Sequence, residues 1–104
     1  MSNICKNAMV NDILKFVELN FKDKRKDLII CGKTLVERLE CDVREWTSLY
    51  NQGQISEDEL KSLIAGQKNL IELEVLKVRG LAKVAMDEMI NGVINIVISH
   101  AIKI

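Results

Sequence analysis

The sequence contains no proline, and its aromatic residues are one tryptophan, one tyrosine and two phenylalanines among 104 residues. Without proline, nothing in the chain obliges a helix to stop. With so few aromatic rings, a core has to be built mainly from Ile, Leu, Val and Met. The apolar content of 48% argues against general disorder. The length allows one domain with a buried core, and we expect a single all-helical domain over 1–104.

The sequence also lacks an excess of positive or negative charge, because 15 Lys and Arg balance 15 Asp and Glu. No overall field therefore attracts nucleic acid, an anionic membrane or an acidic substrate. No uninterrupted apolar run reaches the length of about 18 residues that suggests a transmembrane helix. The first residues, MSNICKNAMVNDILKF, lack the basic region and apolar core of a signal peptide. We expect neither nucleic acid nor a membrane as the main partner.

Cysteines are few and widely spaced, at Cys5, Cys31 and Cys41. An odd number at such spacing does not resemble the disulfide framework of a small secreted domain. We therefore expect a reduced, cytoplasmic setting. Cys31 and Cys41 are predicted to be buried as small hydrophobic residues.

The clearest local signal is the segment YNQGQISEDEL, which predicts a turn at 51–55. Gly53 can adopt the left-handed conformation that ends a helix. Ser56 and Glu59 have the spacing of a capping box, which predicts that a new helix begins there. The three acidic residues at 57–59 favour the same helix start, because they lie at its positive end.

Apolar residues recur every three or four positions on both sides of this turn, which is helical periodicity. The sequence therefore predicts an all-α fold, an antiparallel hairpin of two long helices at about 4–50 and 57–102. The segment KDKRKD at 22–27 interrupts the first apolar stripe but contains no Gly or Pro. It either continues the helix or forms a loop, and a loop would give three helices.

The C-terminal segment 89–104, MINGVINIVISHAIKI, is apolar over an unusually wide arc. On a helix, its apolar residues cover about 200°, whereas a surface helix with one neighbour needs about 100°. Its many β-branched residues leave a strand as the alternative, with the short run DLIICG as the other strand-like stretch. We favour the helix, and either form needs more cover than one helical neighbour supplies.

The excess apolar surface of the segment 89–104 predicts self-association. Four Ile or Val side chains left in water would forgo about 6–12 kcal/mol of hydrophobic stabilisation. Homodimerisation into a helical bundle is the simplest solution, and a protein partner is an alternative. The predicted centre of the interface consists of Ile90, Val93, Ile94, Val97 and Ile98. In the remaining alternative, a broken first half folds back and covers both sides of this helix within one chain.

Candidate chemical groups do not converge on a site. His100 is the only histidine, and in a simple hairpin Cys5 would lie near it. A Cys–His pair can serve as nucleophile and base, but the sequence supplies no orienting third group and no further metal ligands. The glutamates are interpreted as a solvated face, because the Glu-x-x-His element of di-metal bundles is missing. They are Glu37, Glu40, Glu45, Glu72 and Glu74.

The basic cluster Lys22, Lys24, Arg25 and Lys26 is a candidate for contact with nucleic-acid phosphates. Two aspartates dilute its charge, and no aromatic residue is interleaved for base stacking. Trp46 and Tyr50, one helical turn apart, are interpreted as core residues near the turn.

The sequence thus predicts a non-enzymatic, self-associating helical-bundle protein that acts as an assembly, adaptor or regulatory subunit. No Walker, GxGxxG, HExxH or GxSxG pattern occurs, so we expect no catalytic residues, cofactor or metal. The alternative function is a small dimeric regulator that binds nucleic acid through the basic cluster.

Overall fold

A computed structural model describes residues 6–21 and 25–102, and within these ranges the fold is all-α. The described helices are α1 (Lys6–Asn20), α2 (Arg25–Asn51), α3 (Glu57–Ala65), α4 (Lys68–Val75) and α5 (Lys83–Ile102). The expected all-α fold class is confirmed. The segment 89–102 and the strand-like run DLIICG both lie in helices, so the strand alternative is wrong.

Both long helices of the predicted hairpin are divided in the structure. α1 ends at Asn20 and α2 begins at Arg25, which agrees with the alternative that placed a break near 22–27. The single helix predicted over 57–102 is wrong, because three helices occupy that stretch. Gly66 caps α3, and Gly80 has a φ of +74° in the connection to α5, where the chain turns.

The turn between α2 and α3 has the predicted chemistry. Gly53 has a φ of +76°, in the left-handed region. The Glu59 backbone N–H donates to Oγ of Ser56 at 3.1 Å, and the Ser56 backbone N–H donates to Oε1 of Glu59 at 3.1 Å. The predicted capping box is therefore confirmed, and it starts α3 at Glu57.

α5 is the central helix of the molecule, and it contacts α1, α2, α3 and α4. Its buried residues are Met89, Ile90, Val93, Ile94, Val97 and Ala101. They form one core with buried Ile, Leu, Val and Met residues of the other four helices. Trp46 and Tyr50 are partly buried against this core, as predicted. The wide apolar arc of α5 therefore has an explanation within one chain.

α1 packs closely on two glycines of its neighbours. A Cβ atom on Gly32 of α2 would lie 2.6 Å from Cγ2 of Ile13, and one on Gly92 of α5 would lie 2.2 Å from Cζ of Phe16. Neither distance is possible without movement of a neighbour. The absence of side chains at these two positions allows α1 to lie against both α2 and α5.

Candidate functional site

The residues predicted as the centre of a dimer interface lie inside the chain. Ile90, Val93, Ile94 and Val97 expose at most 9% of their surface, and Ile98 is partly buried. In this fold the four buried side chains lie inside the chain's own core and offer almost no surface to a second copy, and the interface at these positions stays a prediction. The prediction of this interface assumed that the C-terminal helix has one neighbouring helix, whereas α5 has four.

His100 is paired with a residue that sequence reasoning did not single out. Its Nε2 lies 2.6 Å from Oδ2 of Asp12, so the imidazole N–H donates to the carboxylate across 88 positions of sequence. The pair joins the last turns of α5 to the middle of α1. Cys5, the partner expected from a simple hairpin, lies outside the described residues, so that pairing stays a prediction.

A shallow groove of about 450 Å³ runs beside this pair, between α1 and α5. It is lined by Asp12, Phe16, Leu19, Asn20, Asn95, Ile96 and Ser99. Asn95 and Ser99 are the polar residues on the α5 side of this groove. The hydrogen bond connects α1 to α5, and among the described residues no contact joins the pair to a nucleophile.

A second groove, of about 440 Å³, lies between the first half of α2 and the connection from α4 to α5. It is lined by Asp27, Ile30, Cys31, Thr34, Glu74, Lys77, Val78 and Arg79. We call it the α2–α4 groove. It combines four charged residues with apolar ones, and its two walls are at least 40 positions apart in sequence, so spacing along the chain does not reveal it.

Glu74 is the buried charge of the α2–α4 groove, with 7% of its surface exposed. Its Oε2 accepts a hydrogen bond from Nζ of Lys77 at 3.0 Å and lies 3.5 Å from Nε of Arg38. The prediction that all five glutamates form a solvated face is wrong at this position. Two cations compensate for the loss of water around its carboxylate.

Cys31 lies beside Glu74 in the same groove and is buried, as predicted. Burial raises the pKa of its thiol from the ordinary 9.0 to about 11, and the negative charge of Glu74 adds to this increase. The nearby Lys77 opposes it. Because the thiolate is the reactive form, Cys31 is a poor nucleophile at neutral pH.

The structure describes Cys41 fully but the basic cluster only in part. Cys41 is exposed on α2, so its predicted burial is wrong; it lies on the face of α2 turned away from the core. Lys26 of the basic cluster is exposed, whereas Lys22, Lys24 and the side chain of Arg25 lie outside the described part of the chain. Nucleic-acid contact through this cluster therefore stays a prediction.

Metal-binding and membrane-spanning features are absent from the described residues. Within 6–21 and 25–102, no three His, Cys, Asp or Glu side chains come together as metal ligands would. Across the same ranges, no helix combines the length and apolar character needed to cross a bilayer. Comparison of the chain with protein-family models, with curated proteins and with solved structures found no match.

Proposed function

We propose that this protein is a non-enzymatic helical-bundle protein that self-associates and serves as an assembly, adaptor or regulatory subunit. The observation that carries the proposal is a set of large apolar side chains on the outside of the bundle. Ile30, Leu73 and Leu76 are exposed by 59%, 61% and 55%. Their positions replace the buried α5 residues as candidates for contact with another molecule.

One of these side chains lies in the α2–α4 groove. Ile30 lines the groove on its α2 side. Leu73 lies on α4 and Leu76 directly follows it, and neither of them lines the groove. Burial of such side chains against another molecule would remove apolar surface from water.

A binding role also agrees with the chemistry of the described polar residues. The Asp12–His100 pair holds two helices together, and Glu74 is paired with both Arg38 and Lys77. The Cys31 thiol of the α2–α4 groove is a poor nucleophile at neutral pH, because burial and the charge of Glu74 raise its pKa to about 11.

Molecular mass in solution tests the proposal. Light scattering at concentrations from about 5 to about 500 µM should give twice the chain mass of 11.8 kDa at the upper end. Dissociation on dilution, with unchanged circular dichroism, would identify an assembly of folded subunits. A mass of 11.8 kDa throughout the range would contradict self-association.

A further inference from the structure

The α2–α4 groove carries two charges that have no partner among the described residues. Asp27 lies in the first turn of α2, and Arg79 lies in the connection between α4 and α5. Neither side chain forms an ion pair within the described part of the chain, although both line the same groove. By contrast, the groove's other cation, Lys77, is paired with Glu74 at 3.0 Å.

The two charges without a described partner therefore have opposite signs and lie on opposite walls of the groove. The α2 wall presents the free carboxylate of Asp27 and the exposed side chain of Ile30. The other wall presents Val78 and the free guanidinium of Arg79. Its four charged lining residues, two acidic and two basic, sum to zero.

The charges of such a surface are complementary to those of its own copy. In a two-fold dimer the same patch meets its own copy, so each group on one wall can face the group on the opposite wall of the partner. A patch of one sign would repel its copy, whereas a patch with one free carboxylate and one free guanidinium forms two identical ion pairs.

We propose that the α2–α4 groove is the surface through which two copies of this chain associate. Asp27 pairs with Arg79 of the partner subunit, and Arg79 pairs with Asp27 of the partner subunit. Ile30 is covered between the two pairs, where its burial removes apolar surface from water. This inference rests on the proposed self-association and names its surface.

Charge reversal tests the pairing directly. Asp27→Arg places two arginines opposite each other at each pair, and Arg79→Asp places two aspartates there. Each variant alone should associate about tenfold or more weakly than the wild type, because like charges oppose each other across the interface. When the two variants are mixed in equal amounts, both pairs of the mixed dimer are Arg–Asp again, and the dimer mass should return.

Matched controls separate this pairing from general charge effects. Glu45→Arg and Lys68→Asp make the same changes in net charge at exposed positions that do not line the groove. Each should dimerise as the wild type does. Circular dichroism on every variant checks folding, since Asp27 also lies in the first turn of α2, where a negative charge stabilises a helix.

The possible results separate a failure of the proposed interface from a failure of the proposed function. If the wild type is dimeric and both reversal variants dimerise equally well, the groove is not the interface, while self-association stands. If folded variants are monomeric and their mixture is monomeric too, the proposed Asp27–Arg79 pairing is wrong. If the wild type is monomeric at every concentration, the proposed function fails together with this inference.

Discussion

At the scale of single residues, burial decides the chemistry of the groups that the sequence places on one helix. Cys31 and Cys41 both lie on α2, but Cys31 faces the core and Cys41 faces solvent. Burial raises the pKa of the Cys31 thiol, and the negative charge of Glu74 on α4 adds to this increase. The two cysteines should therefore behave differently in solution.

The raised pKa of Cys31 predicts a loss of stability at alkaline pH. The folded state holds the thiol proton up to about pH 11, whereas the unfolded state releases it near pH 9.0. This stabilisation is fully present below pH 9.0 and is lost as the pH rises through the folded-state pKa of about 11. We expect Cys31 to account for a decrease of about 2 kcal/mol in the free energy of unfolding.

Urea unfolding under reducing conditions at several pH values between 8 and 11 measures this decrease. Cys31→Ala should have a shallower pH dependence than the wild type, whatever its stability at pH 8. Cys41→Ala, at the exposed position, should keep the wild-type dependence. Identical pH dependence of the wild type and Cys31→Ala would contradict the assignment.

At the scale of helices, the position of α1 depends on two glycines of neighbouring helices, because they have no side chains that would block it. Ile13 and Phe16 lie one turn apart on α1, and they contact Gly32 of α2 and Gly92 of α5. The Asp12–His100 hydrogen bond adds a polar connection to α5. Because Ile13 is β-branched and fully buried, its methyl group at Gly32 has little freedom to move.

This packing predicts that Gly32→Ala destabilises the protein. On an open helix the change would stabilise by about 1 kcal/mol through helix propensity. Here the new methyl group overlaps Ile13, and overpacking should give a net loss of about 1–3 kcal/mol in unfolding free energy, measured by urea denaturation.

The Gly32–Ile13 contact has its own control in a double-mutant cycle. In an Ile13→Ala background the overlapping methyl group is gone, so Gly32→Ala should cost less than in the wild type. Equal effects of Gly32→Ala in both backgrounds, or a gain in stability in the wild type, would show that α1 does not lie against Gly32.

At the scale of the whole molecule, the interior of the bundle is organised around α5. A helix that is apolar over most of its circumference requires neighbours on several sides. Four helices of the same chain provide them, since each of α1 to α4 contacts α5. The short helices α3 and α4, with the connections that follow them, allow the chain to surround α5.

Val97→Asp should therefore unfold the protein and not merely dissociate it. Val97 exposes 1% of its surface, and an unpaired carboxylate there costs more than the stability of a small domain can absorb. Circular dichroism should show loss of helix and of the cooperative thermal transition at every protein concentration.

Val84→Asp is the matched control, because Val84 lies on the same helix but is 70% exposed. This variant should retain the helical signal and a melting temperature near that of the wild type. A Val97→Asp protein that stays folded and becomes smaller would place the apolar face of α5 between copies instead of inside one chain.

The sequence alone determined the features that arise from local interactions. Helical periodicity, the capping box at Ser56 and Glu59 and the left-handed Gly53 depend on residues within a few positions of one another. The wide apolar arc of α5 was also evident from spacing, and it correctly indicated that this helix has more than one neighbour.

Only the tertiary structure decided which surfaces those neighbours supply. Sequence spacing measures how much apolar surface needs cover, but it carries no information about whether the cover comes from the same chain or from another. The Asp12–His100 pair, the burial of Glu74 and the α2–α4 groove join residues that are distant in sequence. Such contacts depend on how the helices fold back on one another, and the breaks before and after α4 determine that path.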